Sequence, residues 1–373
     1  MSDSRLYESV ASRLIRAIES GEWPAGSRIP AERDLASRWG VSRPTLRRAI
    51  KLLSDRGFLI RAENCRPRVA GVGAAQPVQT EREYHVFVLL FTHVADLASA
   101  PMLRGIQRVR LPGFGKTVVV SSGAGPWVSA IDFERKQLRA IAQDPLAKGV
   151  ILWYVGGEHN LDVLAAVRNA DVPIVFIDRR PPPGIVADHV GTDNRGSMRR
   201  LVRALQDLGH RRIACISNGE PVSSVEDRVW GYRAALRRSG EIPGQDLLSQ
   251  IGPDESMEDG TRRCIQHLLH ADPRPTAIVC TNDMVGSLAM RELKARGIRV
   301  PEEISVAGFD GWYRFAPGMG LSSAAQSFED IGEAAMELLV ERITGPREPL
   351  IRHILFDAPL ADSGSIGPVT TPN

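Results

Sequence analysis

Residues 20–60 read SGEWPAGSRIPAERDLASRWGVSRPTLRRAIKLLSDRGFLI, and their order of breakers and apolar positions decides the first fold. Pro24, Gly26 and Pro30 make PAGSRIP a turn cluster. AERDLASRW follows as a short helix that Gly40 stops. Ser42 is a good N-cap for the next helix, and Pro44 is tolerated inside a first turn, where its missing N–H has no helical partner anyway. That third helix runs SRPTLRRAIKLLSDR to Gly57, with Leu46, Ala49, Ile50 and Leu53 as its core face. Upstream, Leu6, Val10, Leu14 and Ile18 recur every four residues and predict a first helix that fades at Gly21. Downstream, the extended stretches FLIRA and RPRVA flank the turn AENC. Three helices and a hairpin over residues 1–70 are the plan of a winged helix-turn-helix domain.

On the third helix Arg43 and Arg47 lie four apart and project from one face, opposite the leucines. Arg48 and Lys51 are displaced around the cylinder, and Thr45 sits near its start. A helix presenting arginines from its first turns suits the major groove of DNA, where a guanidinium forks onto guanine O6 and N7. Arg33 on the second helix is placed for a phosphate or a base edge. Charge agrees with this. Residues 1–80 hold 14 Arg plus Lys against 8 Asp plus Glu, a balance of +6, whereas residues 81–373 hold 33 against 36, a balance of −3. A basic head on a mildly acidic body puts the polyanionic partner at the head.

Residues 71–84, GVGAAQPVQTEREY, are small and polar without a period, and read as a linker. From residue 85 to 362 apolar runs (VFVLLF, TVVVSS, GVILWYV, PIVFID, RIACIS, AIVCTN and SVAGFD) alternate with amphipathic stretches such as SMRRLVRALQDLG. Repeated strand–helix units predict a doubly wound α/β domain with parallel sheets. Its length exceeds one ordinary core, so two lobes are expected. Residues 363–373, SGSIGPVTTPN, are expected to form a disordered tail. Of the 373 residues, 43% are apolar and 24% charged, as in a globular protein. No window holds the ~18 uninterrupted apolar residues of a membrane span. The first residues lack a secretory core, so a cytoplasmic location is expected. Cys65, Cys215, Cys264 and Cys280 are far apart and form no C-x-x-C pair, which argues against a zinc site or disulfide scaffold and fits a reducing compartment.

Across about 40 residues, GEWPAGSRIPAERDLA and VSRPTLRRA resemble the gluconate-repressor (GntR) winged-helix family almost position by position. The resemblance implies operator contacts from Arg33, Arg43, Thr45 and Arg47, and the DNA-facing set also takes in Ser42, Arg48, Lys51 and the wing residue Asn64. The family wing carries glycines at its tip; here Glu63, Asn64, Cys65 and Arg66 stand there, and the acidic Glu63 works against a close wing contact. The body resembles the sensor of the lac-repressor (LacI/GalR) family, built like a periplasmic sugar-binding protein. VPIVFIDR, VGTDNRGSMRRLVRALQDLGHRRIACISN, SVEDRVWGYRAAL, PTAIVCTNDMVGSLAMRELKARGIRVPEEISVAGFD and AQSFEDIGEAAMELL carry that likeness, in the family's order. The combination is similar to the arrangement in arabinose-responsive repressors.

In open α/β sheets ligands sit beyond the carboxyl ends of the strands. Asp178 ends VFID, Asn282 and Asp283 end IVCTND, and Asp310 ends VAGFD, while Arg228 in EDRVWGY begins a helix expected to face the same region. An Arg with carboxylates and an amide is the donor and acceptor set that a polyhydroxyl ligand requires. The resemblance maps Arg228, Asn282 and Asp310 onto effector contacts, and Asp178 more weakly. Trp153 and Trp312 follow strands and are candidates to stack on a sugar face, whereas Asp283 reads as a brace for a helix N-terminus.

Enzyme readings find little support. GFGKTVVV has G-K-T, but Arg110 stands where a phosphate loop needs Gly and the segment leads into a strand. There is no G-x-S-x-G elbow, and His267 and His270 lack a third ligand. No cofactor or metal is expected. The expected function is therefore a homodimeric DNA-binding regulator, a repressor of a pseudo-palindromic operator, controlled by a carbohydrate effector. The lac-repressor resemblance implies that the effector acts as inducer, while some relatives of that family use a corepressor. The alternative is a cytosolic carbohydrate-binding protein with a vestigial head.

Overall fold

The computed structural model describes residues 10–11, 13–18, 22–24, 26–55, 58–60, 67–69, 83–90, 98–121, 127–238, 247–252, 254–311, 320–345 and 350–369. The chain divides into two compact units, residues 1–82 and 83–373.

In the first unit, helical residues at 10–11 and 13–18 precede α1 (Glu32–Trp39) and α2 (Arg43–Asp55), followed by the antiparallel pair β1 (Leu59–Ile60) and β2 (Arg68–Val69). Gly40 ends α1 in the left-handed conformation, φ 66°, with its N–H turned back to Ala36 O and Ser37 O. A side chain there would be strained, so glycine is the natural stop. Leu14, Ile29, Leu35, Leu46, Ala49, Ile50 and Leu53 close one core, and Trp23 stacks on Trp39 with centroids 6.2 Å apart. Each such buried Leu or Ile stabilises the unit by about 1.5–3 kcal/mol. Leu6, Gly57 and the hairpin tip with Glu63, Asn64 and Cys65 lie outside the described residues.

The second unit holds two six-stranded sheets. The first lobe's sheet runs β13 (His353–Phe356), β7 (Asp188–Thr192), β6 (Ile174–Ile177), β5 (Ala147–Leu152), β3 (Tyr84–Leu90), β4 (Gly115–Ser121), every pair parallel. Helices α3 (Ser99–Arg108) and α10 (Phe328–Thr344) cover one face, and α4 (Trp127–Gln143) and α5 (Leu161–Asn169) cover the other. The α3–α10 crossing is close because both contact residues are glycines. A Cβ on Gly105 would lie 1.9 Å from Glu329 O, and one on Gly332 2.1 Å from Met102 O.

The second lobe's sheet runs β14 (Leu360–Ala361), β12 (Ser322–Ala325), β11 (Ser305–Asp310), β10 (Ala277–Cys280), β8 (Ile213–Ser217), β9 (Leu248–Gln250), with only β14 antiparallel. α6 (Asn194–Asp207) and α7 (Ser223–Arg238) pack on one face, α8 (Met257–Leu269) and α9 (Asp283–Ala295) on the other. The chain crosses between lobes after β7, after β12 and after β13. The G-K-T segment is the start of β4, and Cys215, Cys264 and Cys280 are free and buried.

The C-terminal residues depart from expectation. Residues 363–369 are not a loose tail but a strap on the second lobe. Ser365 Oγ accepts from Ser322 N at 2.7 Å and donates to Val306 O at 2.6 Å, Gly367 N donates to Ser305 Oγ at 3.0 Å, and Val369 N donates to Leu208 O at 3.0 Å. Small Ser and Gly residues allow the close approach that makes these bonds, and Ile366 adds an apolar anchor. The polarity that suggests disorder here serves hydrogen bonding instead.

Candidate functional site

In the first unit α2 presents Ser42, Arg43, Arg47, Arg48 and Lys51 to solvent while its apolar face is buried. Ser42 Oγ accepts from Thr45 N at 3.3 Å, which caps the helix. Thr45, expected at the operator, is only 6% exposed, and its Oγ1 lies 2.7 Å from Ser42 Oγ. It completes the cap rather than facing outward, because a small β-branched residue three places past Ncap folds onto the capping hydroxyl. Arg47 Nε donates to Glu32 Oε2 of α1 at 2.7 Å, so the preceding helix orients this guanidinium. Arg33 is exposed, with Asp34 Oδ1 3.6 Å from its Nε.

In the second unit the carboxyl ends of β10, β11 and β12 converge on the start of α7. Arg228 is buried there, with Nε donating to Asn194 Oδ1 at 2.8 Å and Nη1 to Thr281 O at 2.6 Å and to Asp310 Oδ1 at 3.0 Å. Its guanidinium lies 4.0 Å from the Phe309 ring centroid. Gln326 Nε2 donates to the same Asp310 oxygen at 2.8 Å, and Thr192 Oγ1 donates to Gln326 Oε1. This links the end of a first-lobe strand to the second lobe's acid. Burial pushes the Asp310 carboxyl up to about 7, although Arg228 and the Gln326 hydrogen bond pull it down. Its backbone φ of 127° is a strained conformation of the kind that collects at functional sites.

On the first-lobe side, Asp178 at the end of β6 has φ 62°, which Asp tolerates better than most residues. Trp153 Nε1 donates to Asp178 Oδ2 at 3.0 Å, and the Arg179 guanidinium sits 5.4 Å from the Trp153 ring centroid. The structure thus brings Arg228 with Asp310, and Trp153 with Asp178. Asn282 is next to Thr281, but its Oδ1 accepts from Val285 N at 2.9 Å as the N-cap of α9. Asn282 thus caps the helix, while Asp283 stands as the acid of its first turn and also accepts from Ser323 Oγ at 2.6 Å. Trp312 lies outside the described residues.

Asn194, Thr281 and Gln326 complete the cluster and escape sequence reading. Asn194 lies in GTDN and Gln326 in AQSF, but β7 and β12, which position them, carry too many polar residues to read as strands. Beyond the carboxyl end of β5, Glu134 is buried against Val155 N and Asn160 Nδ2, at 2.7 and 2.8 Å. Burial raises its carboxyl to about 7. A cavity of about 560 Å³ opens elsewhere, near the amino ends of β5, β6 and β7, with Val172, Ile174, Ile185 and Ile343 among its walls. Among the described residues no group of His, Cys, Asp and Glu could hold a metal ion, and no helix is long and apolar enough to cross a membrane.

Comparison with known proteins bears on both units. Residues 6–66 match the model of the gntR family of bacterial regulatory proteins, and residues 202–360 match that of a periplasmic binding protein-like domain. The HTH-type transcriptional regulator CelR of Thermobifida fusca is 30% identical over 343 residues, covering 88% of this chain and 96% of the relative. The arabinose metabolism transcriptional repressor of Geobacillus stearothermophilus is 25% identical over 350 residues, 90% of this chain and 91% of the relative. A LacI family regulator from Enterococcus faecium, solved with bound ribose, superposes with TM-score 0.62 at 21% identity over 77% of this chain and all of the other. A CelR–cellobiose complex superposes with TM-score 0.62 at 24% identity, over 90% of this chain and all of the other.

Proposed function

As this chain belongs to the HTH-type transcriptional regulators that join a gntR-family head to a LacI-type, periplasmic-binding-protein-like sensor, and is a DNA-binding regulator rather than an enzyme, we propose that it is a homodimeric repressor released from a pseudo-palindromic operator by a sugar or sugar derivative. In a dimer, two α2 helices would enter successive major grooves about 34 Å apart, which is why the operator would have two-fold symmetry. Arg43 and Arg47 read bases, while Arg33, Arg48 and Lys51 hold phosphates.

One observation carries the sensor reading: the cluster of buried Arg228, Gln326 and Asn194 around the partly exposed Asp310, at the strand ends where the lobes meet. Its guanidinium, carboxylate and amides offer hydroxyl groups both donors and acceptors within a shielded site, where each bond counts for more than in water. Asp178 and Trp153 supply a further acceptor and a ring face from the other lobe. Relatives whose names or complexes refer to arabinose, ribose and cellobiose support a carbohydrate as the ligand class.

The test begins with a thermal-shift screen of sugars and sugar derivatives. A ligand at a hundredfold excess over Kd stabilises the chain by about 2.7 kcal/mol. Operator titration with and without the hit, and ligand titration with and without operator, must then show the same factor, because coupling between two sites is reciprocal. A ligand that leaves operator affinity unchanged refutes the regulatory reading.

A further inference from the structure

Three contacts join the lobes along one flank of the crevice, and none belongs to the cluster around Arg228. In the loop after β6, on the first lobe, Arg180 grips Asp227 of α7, on the second, through both carboxylate oxygens: Nε to Oδ2 at 3.0 Å and Nη2 to Oδ1 at 3.2 Å. The Arg180 backbone N–H donates to Ser223 Oγ at 2.9 Å, and Arg179 Nη2 lies 3.7 Å from Glu220 Oε2. Asp227 has a second cation on its own lobe, for Arg195 Nε donates to Oδ1 at 2.6 Å while its guanidinium lies 4.8 Å from the Trp230 ring centroid.

This division of partners makes the contact reversible. A buried carboxylate that lost its one cation on opening would hold the lobes almost permanently together. Asp227, with 12% of its side chain exposed, keeps Arg195 when the lobes part, and Arg180, 45% exposed, returns to water. The next residue along α7 is Arg228, so any shift of this helix against the β6 loop moves the ion pair and the ligand cluster together.

We propose that Arg180 and Asp227 form a cross-cleft latch that holds the lobes closed before any ligand enters. The ligand-related consequence rests on the crevice being the effector site, as proposed above: a ligand selecting the closed form binds more tightly in proportion to the closed fraction already present. Two parallel bonds to one carboxylate exceed an ordinary surface pair. Removing Arg180 should therefore lower the ratio of closed to open sensor roughly three- to tenfold.

The test reads closure in the full chain without sugar. Arg168→Cys in the first lobe and Lys294→Cys in the second, both exposed positions, carry a dye pair in a Cys65→Ser background for energy transfer. Arg180→Gln should change the transfer efficiency toward that of the open form, Arg180→Lys should recover part of the change, and Arg195→Gln should leave the wild-type value. Added salt should shift the wild type more than Arg180→Gln, which keeps only the longer Arg179–Glu220 pair across the cleft. Equal transfer in wild type and Arg180→Gln overturns the proposal. So does an Arg195→Gln effect as large as that of Arg180→Gln, since Asp227 would then be a brace within its own lobe. Arg180 is surface-exposed, so its variants test closure without loss of a core contact. Because the latch is read with no sugar present, it stands or falls separately from the effector assignment, which the thermal-shift screen decides.

Discussion

Replacing Arg228 by Ala takes away the cation facing Asp310 and leaves Asn194 Oδ1 and Thr281 O without the donors they now accept from. Removing one partner of a buried ion pair costs about 3–5 kcal/mol. The cost should depend on pH, because burial has already pushed the Asp310 carboxyl up to about 7 with Arg228 in place. Without the guanidinium its pKa moves higher. The variant's native state then keeps, above pH 7, a proton that the wild-type native state releases, while the unfolded carboxyl is ionised in both. Stability falls with pH wherever the native state binds more protons than the unfolded one, by up to about 1.4 kcal/mol per pH unit. The destabilisation should therefore be larger at pH 8 than at pH 6, by about 1 kcal/mol. Urea unfolding of the full chain at both pH values, followed by tryptophan fluorescence, measures it. A loss under about 1 kcal/mol, or an equal loss at the two pH values, would refute the reasoning.

Arg43→Ala and Arg47→Ala should each weaken operator binding by about 1–3 kcal/mol and relax preference at one base position, whereas Lys51→Ala should weaken all sequences alike and lower the salt slope by about one; titrations at several salt concentrations separate the two patterns. Glu134, whose burial raises its carboxyl from 4.5 to about 7, favours the native state at low pH and loses that contribution as pH climbs through this window. Glu134→Gln cannot ionise, so its melting temperature should fall less than the wild type's between pH 5 and pH 8. Ending the chain at Gly364 removes the Ser365 and Gly367 hydrogen bonds and Ile366. It should destabilise the second lobe by about 3–5 kcal/mol, read as a lower melting temperature.

Breakers and periodicity made the head legible: Gly40 ends α1, and Leu46, Ala49, Ile50 and Leu53 are buried as their spacing requires. The seven apolar runs of the body are likewise strands β3, β4, β5, β6, β8, β10 and β11. β7 and β12, DHVGT and SSAA, were not legible, because a buried polar strand depends on distant partners. Asp188 is held by Arg342 through bonds of 2.7 and 2.9 Å, and Ser323 by Asp283. Nothing local announces either pairing. The same cause hid Gln326 and Asn194, and made residues 363–369 read as disordered. Thr45 and Asn282 show the reverse problem. A polar residue at a helix start suits both ligand contact and capping, and only the bonds to Ser42 and Val285 show what the side chain does.

The crossings between lobes also bear on the order in which the molecule can assemble during synthesis. The head draws all its core from residues close in sequence, so it can fold soon after leaving the ribosome. The first lobe cannot: Val86, Val88, Met102 and Ile106 must wait for Phe328, Ile331, Met336 and Leu339 of α10, and its edge strand β13 comes later still. At 5–20 residues per second that wait lasts roughly 10–50 s. For this interval a folded DNA-binding head is tethered to half a lobe whose apolar face is uncovered, and a chain interrupted before residue 328 would remain so. Such fragments should carry a folded head without a completed sensor and be the first to engage chaperones, so the effector can act on the chain only once α10 and β13 have been made.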